Sequence, residues 1–591
     1  MGLYVDVVGD RHVYAGIRDR GSGGPMTGSV RKLGVAALAA AMLGGTAAIP
    51  AGAQPAGLPA EGIVSSKNVT WVNNQVSSGG NALDFFERQE SNGSLSRYAV
   101  VAHNFGFDII DITDPAEPST VGRYVTVGFN YHSWVSVNPT RKLVAYSIEA
   151  PGRSAWPPTD PNLGHGGSNG VDIVDISDVT NPVYRGQVAA LGQGDSNGPH
   201  TIRWIDDRYL YTTLPTHIID VADPAKPKLA DAGLNNLCGH EFYPDPNIPG
   251  RTYVGFCAQP AKWGILDTTD PAHPVVIVQK QDPEISLAHE VYPSADSSFI
   301  GVTDYRIGPA TGYTYFQCPG GGIHFWDISG KYMPGASLTN PIKMGKWFAP
   351  FNTIESTDPD PDSNHPNWAS CTTHSWQFQA ERMIFTAGVY TLGSWVGDPT
   401  AATKSSGGLY TEWNRNPKRD WTCRPEVTPP CSAVRGLGPT TWGNTTGNFL
   451  AEGDFVNASQ WWPFDASAAD PDTGRYVFTN GLVRGFDILK YTGPLPKKLA
   501  RLAVDPAAPG GVATGKLDRY AVLTYQGWVN KSLAGRSVEV TGGGVTVMAT
   551  TADDGTFSAN LGLSAGSHQV TVTWTGDDTF QQASVTQSVQ T

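Results

Sequence analysis

Short runs of alternating apolar and polar residues recur along most of this chain, and each run closes on aspartate. Asp108-Ile-Ile-Asp-Ile-Thr-Asp-Pro115 returns as Asp172-Ile-Val-Asp-Ile-Ser-Asp178 and as Ile218-Ile-Asp-Val-Ala-Asp-Pro224. It comes again as Gly264-Ile-Leu-Asp-Thr-Thr-Asp-Pro271, Ile323-His-Phe-Trp-Asp-Ile-Ser329 and Gly485-Phe-Asp-Ile-Leu489. Four copies carry a further proline just beyond, at Pro118, Pro182, Pro227 and Pro274. A β-branched run closed by Asp and Pro reads as a strand followed by a turn. Repetition at tens of residues predicts a modular all-β array. Modules are expected at 81–112, 131–176, 199–221, 239–266, 288–328, from Thr373 onward, and at 460–489. Seven modules of three or four strands predict a seven-bladed β-propeller over residues 81–493.

The pattern breaks in three places. Residues 350–370 and 400–450 read as polar or Gly/Pro-rich insertions, of the kind that cover a site on a rigid scaffold. Residues 494–515 read as a Pro/Ala/Gly linker. Beyond it, 516–591 alternates again, as in Val545 to Thr550 and His568 to Trp574, and predicts a small β-sandwich.

Composition agrees with a turn-rich β protein: 68 Gly and 44 Pro in 591 residues. The formal charge of −13, with no basic tract after the leader, argues against a nucleic-acid surface. Residues 1–53 read as a leader. Met26 to Lys32 is a basic start, Leu33 to Ile49 an apolar stretch, and Ala51-Gly-Ala53 a small-residue cleavage site. Export is expected, with Met26 as the true start, cleavage after Ala53 and an N-terminal extension over 54–80. No later stretch is apolar enough to span a membrane as a helix. Six cysteines in an exported chain favour disulfides. Cys423 with Cys431, Cys238 with Cys257 and Cys318 with Cys371 are the expected pairs among fifteen possible connectivities.

One constellation could carry chemistry. Five consecutive modules open on a histidine at the same position: His132, His200, His240, His289 and His374. The first strand of a propeller blade lines the central channel, so these side chains are expected to form a ring. Imidazoles at one level could hold one Fe, Cu or Zn ion. Glu241 and Glu290 follow their histidines directly. On a period-two strand they point to the other side, as partners behind the ring or between blades rather than as ligands. The competing expectation is that the histidines repeat because the blade repeats, each bonded to a neighbouring blade. Trp134, Trp376 and Trp461 are expected near the channel mouth, where they could stack on a ligand. Gly166 to Gly170 matches a nucleophile-elbow pattern only by letters, since no strand precedes it. Asp358, Asp360 and Asp362 lack the Gly and the Glu of a calcium loop.

The Asp-Ile-(Ser/Thr)-Asp-Pro phrases resemble those of the LVIVD-repeat family, exported bacterial and archaeal β-propellers. The best matches are Phe107 to Pro118, Gly170 to Pro182 and Thr216 to Pro227. The resemblance implies the propeller and no particular reaction. Gly542 to Ser584 resembles bacterial Ig-like domains of secreted proteins, which implies a spacer or adhesion module. Two functions are open at this point. One is an exported binding or scaffold protein that presents its channel face to a protein, glycan or small ligand. The other is a metal-dependent oxidase or oxygenase with the ion in the His ring. Catalytic residues are not identifiable in either case.

Overall fold

The structure is a computed structural model that describes residues 4–8, 12–16, 69–75, 82–126, 133–149, 170–191, 198–256, 261–304, 322–347, 373–399, 435–439, 456–461, 473–529 and 532–591, less short gaps within these spans. The strands Tyr4–Val8 and His12–Gly16 pair as a hairpin in a separate unit, Met1–Gly57. The basic and apolar parts of the expected leader, all six cysteines, His132 and residues 350–370 lie outside the described residues. So do Gly166 to Asn169. No helix among the described residues is long and apolar enough to cross a membrane.

The fold is all-β, with two three-residue 3-10 turns as its helical content among the described residues. Seven four-stranded antiparallel sheets follow one another, six of them simple meanders in chain order. The first holds Leu83–Gln89, Leu95–His103, Gly106–Asp111 and Ser119–Val125. The inner strands of the next five are Val135–Asn138, Ile202–Trp204, Gly239–Pro244, Ala288–Pro293 and Thr373–Phe378. Each inner strand touches the next. The seventh sheet, built on Val456–Trp461, Tyr476–Gly481 and Gly485–Tyr491, packs back on the first. There the Asn480 amide donates to Ala82 O at 2.9 Å, and the Phe85 and Phe478 rings lie 5.3 Å apart. Sheets packed face to face in a closed series make a β-propeller.

The repeated phrase is the third strand of its sheet, and its aspartates make the turns. Asp111 Oδ1 accepts from Thr113 N, and Asp114 Oδ1 from Ala116 N. Asp175 and Asp178 do the same for Ser177 and Thr180, and Asp220 and Asp223 for Ala222 and Ala225. Two consecutive Asx turns thus end the strand and launch the next, which is why the phrase is spaced Asp-x-x-Asp. The next sheet's turn packs so closely that Cβ atoms are excluded. A Cβ on Gly122 would lie 1.9 Å from Val179 O, and one on Gly186 2.7 Å from Pro224 O.

Three boundaries differ from the sequence reading. The seventh sheet takes its outer strand from Val69–Gln75, inside the expected extension 54–80. That strand lacks the Asp phrase because the phrase belongs to third strands, and Val69–Gln75 is the outer, fourth strand. It is held by Trp71 Nε1 and Asn74 Nδ2, which donate to Asp487 Oδ1 at 2.8 and 3.0 Å. The expected insertion 400–450 contains Arg435–Pro439, the outer strand of the sixth sheet; its Gly-rich sequence hides the alternation. The expected linker 494–515 contains Ala500–Val504 and the start of Val512–Arg519, which pair with each other.

Those two strands and Thr556–Asn560 form one sheet of the C-terminal region. Ser537–Gly542, Val545–Thr550, Ser567–Trp574 and Ala583–Gln590 form the other. The two share one apolar core that includes Leu517, Val540, Phe557, Val572 and Trp574, which makes a β-sandwich. The sandwich is tied to the sixth sheet by Glu381. Its carboxylate meets Lys498 Nζ at 2.9 Å and Arg519 Nε at 2.5 Å, and its carbonyl accepts from Leu499 N.

Candidate functional site at the channel axis

The inner strands carry an irregularity where the histidines sit. Register shifts fall between Gly239 and Glu241, between Ala288 and Val291, and between Thr373 and Trp376. Each is a bulge that places an extra residue opposite one partner and re-aims the side chains around it. The outcome is a fixed order along each strand. The histidine faces the axis. The next residue is polar and buried: Thr201, Glu241, Glu290 and Ser375. The one after it is core: Ile202, Phe242, Val291 and Trp376. The third faces the axis again: Arg203, Tyr243, Tyr292 and Gln377.

Four histidines converge. The rings of His200 and His240 are 5.1 Å apart, those of His240 and His289 4.0 Å, and those of His289 and His374 4.2 Å. His240, His289 and His374 are 3%, 0% and 2% exposed. His200 Nδ1 bonds Glu149 Oε2 at 2.7 Å. Burial, with His200 and His374 nearby, pushes His240 well below the usual imidazole range, so it is neutral.

The two glutamates stand between neighbouring strands. Glu241 reaches the next strand, with Oε2 at 3.6 Å from His289 Nδ1 and Oε1 at 3.7 Å from Arg203. Glu290 Oε2 accepts from Trp376 N at 2.7 Å and so bridges two sheets. Burial raises the Glu241 carboxyl to about 8 against the pull of Arg203. Burial and the neighbouring Glu241 raise Glu290 well above the usual carboxylate range. The pair therefore keeps at least one proton near neutrality.

Below this level stands Arg203, 3.7 Å from Asp84 and 2.8 Å from the Tyr243 hydroxyl, with its guanidinium 4.3 Å from the Tyr243 ring centre. The Tyr243 and Tyr292 rings lie 4.7 Å apart, and Gln377 Nε2 donates to Tyr292 OH at 3.1 Å. These residues line a cavity of about 470 Å³ together with the exposed Thr140, Asp206 and Thr269 and the half-buried Arg251. Arg203, Tyr243, Tyr292 and Gln377 were not singled out in the sequence. Each stands three residues after a repeated histidine, which is the signal that could have found them, although their types differ.

Trp134 and Trp376, expected as stacking surfaces at the mouth, are 2% and 1% exposed. Both occupy the core position two after the histidine. Trp376 packs among Tyr292, Phe325, Phe378 and Phe385. Trp461 ends the strand Val456–Trp461, and its side chain is outside the described residues.

Among the described residues, the trio whose ligand atoms lie within 4.8 Å of one another is Asp282, Glu284 and His324 in the fifth sheet region, not the axial histidines. Lys343 Nζ stands 2.6 Å from Asp282 and 2.5 Å from Glu284, and Lys346 Nζ 2.9 Å from Glu284. The two ammonium groups supply the positive charge that trio needs.

The LVIVD repeat matches residues 96–126 and 166–190, which take in the last three strands of the first sheet, the last two of the second and their Asx turns. No curated protein matches the chain. Among solved structures, a protein from Lactobacillus plantarum is 8% identical, with 81% of this chain and 98% of that one covered and a TM-score of 0.35. The RRP9 WD40 repeats are 7% identical, with 73% and 100% covered and a TM-score of 0.39. Sqt1 from Chaetomium thermophilum is 10% identical, with 81% and 95% covered and a TM-score of 0.36. At that distance these likenesses say nothing of activity.

Proposed function

We propose that this propeller with LVIVD repeats is an exported binding protein that takes a small polar ligand, or a polar group of a partner, at its channel mouth. The C-terminal sandwich, read as Ig-like, serves as spacer or adhesion module. One observation carries the reading: the 470 Å³ cavity into which separate inner strands send Asp84, Arg203, Tyr243, Tyr292 and Gln377. Such a concave site with a few convergent polar groups is the usual form of a small-ligand site. Mass spectrometry of small molecules released on denaturing the natively purified protein tests it. Thr140→Trp, which fills the mouth, should lose the released species. Protein that releases nothing, and whose melting temperature no polar metabolite raises, would remove the reading.

A second reading, a metal-dependent oxidase or oxygenase, is favoured by the contact of four imidazoles at the axis. It needs an ion there with an open coordination position. Oxygen uptake with the metal-loaded protein separates it from the first.

A further inference from the structure

We propose that the channel axis binds one first-row transition-metal ion among His240, His289 and His374, with His200 at the rim and Glu241 holding the His289 ring. Three features of the axis point there. First, three imidazoles lie with ring centres 4.0 and 4.2 Å apart and almost no solvent exposure. Apolar residues would fill that space at lower cost, because buried polar rings must be satisfied.

Second, Glu241 is 1% exposed, and neither of its oxygens makes a hydrogen bond within 3.5 Å. It stops 3.6 Å from His289 Nδ1. A carboxylate behind an imidazole is the arrangement that orients a metal-ligating histidine and raises its basicity. A buried carboxylate left short of its hydrogen bonds fits a site that tightens when its ion arrives. Third, the bulges at Gly239/Glu241, Ala288/Val291 and Thr373/Trp376 re-aim the same strand positions in three successive sheets. The donor set is imidazole with a carboxylate behind it. That selects Zn, Fe, Cu, Ni or Co over Ca and Mg, which take oxygen ligands.

No three of these ring nitrogens lie within 4.8 Å of one another in the structure. Binding therefore requires the rings to turn about χ2, a torsion with broad wells in histidine. The lysine-filled trio Asp282, Glu284 and His324 is the competing place for an ion, and the test includes it.

Full-length protein is stripped of metal, loaded with Co²⁺, desalted, and read by elemental mass spectrometry and by visible absorption of the bound cobalt. Wild type should hold about one equivalent, with ligand-field bands that Zn²⁺ abolishes. His240→Ala with His374→Ala should hold less than about a tenth of that, and Glu241→Gln should weaken Co²⁺ binding about 10–100-fold. Glu284→Gln should keep the full equivalent. Far-UV circular dichroism checks each fold. Should the double variant fail to fold, Glu241→Gln alone decides. Wild type that stays metal-free with Co²⁺, Zn²⁺, Fe²⁺ and Cu²⁺ overturns the proposal, as does unchanged affinity in folded Glu241→Gln. So does loss of the ion in Glu284→Gln instead. None of these outcomes bears on the ligand cavity at the mouth.

Discussion

Asp108 and Asp172 occupy the same place in consecutive repeats, yet their surroundings push their carboxyls in opposite directions. Asp108 pairs across the sheet with Arg123, whose Nε is 2.6 Å away, and lies 3.6 Å from His103. Burial raises it, but His103 and Arg123 outweigh burial and hold it below the usual range. Asp172 faces Gln187 at the equivalent register and accepts from the Tyr124 hydroxyl at 2.7 Å. Both partners are neutral, so burial prevails and raises Asp172 to about 7. Its folded value thus lies above the unfolded one. Between about pH 4 and pH 7 the folded chain keeps a proton that the unfolded chain has lost, so stability falls as pH rises through that window. The rise to about 7 corresponds to about 4 kcal/mol, fully expressed only above pH 7. Asp172→Asn should therefore stabilise the protein at pH 8 by about 2–3 kcal/mol more than at pH 5. Gln187→Arg, which rebuilds the first repeat's pair, should remove most of the pH dependence. Denaturant unfolding at both pH values is the assay. Equal effects of Asp172→Asn at pH 5 and pH 8, or a loss confined to pH 8, would refute the reasoning.

Other perturbations follow from the packing. Glu381→Ala leaves Lys498 and Arg519 facing each other at the sandwich contact, at a cost of about 3–5 kcal/mol. Calorimetry should then resolve the sandwich from the propeller, and trypsin should cut between residues 493 and 500; an unchanged single transition would count against the contact. Gly301→Ala would put Cβ 2.3 Å from Trp376 Cζ2, and overpacking of this kind costs about 1–3 kcal/mol, read as a lower melting temperature. Deleting residues 69–75 leaves the Gly485–Tyr491 edge open, so the variant should melt earlier and aggregate with rising concentration.

The repeats were legible because turn chemistry is local. Each Asp caps the backbone two residues on, so Asp-x-x-Asp must appear in the sequence wherever the turn does. The convergence of His200, His240, His289 and His374 was legible for the same reason, since equivalent strand positions meet at the axis of a closed ring. The bulge beside Glu241 was not, because it depends on pairing with Arg251–Phe256, which no residue near Glu241 announces. Nor was the burial of Trp376. Its place is set by Gly301 and Phe325 in the neighbouring sheet, contacts remote in sequence. Val69–Gln75 escaped because a strand that completes another sheet needs only backbone pairing and two donors, not the repeated phrase.

That strand sets a timetable for biogenesis. Trp71 and its acceptor Asp487 are 416 residues apart, so one end of the ring is made long before the other. At ribosomal speeds of about 5–20 residues per second, the first strand waits roughly 20–80 s for its partner. Through that interval the nascent chain holds a run of sheets with one edge ready to pair with any neighbour. Only the last blade removes it, so the whole propeller stays vulnerable until synthesis has passed residue 491 and is then sealed at a stroke. A chaperone that shields the open edge during this delay would matter more to yield than any later stabilisation of the finished ring.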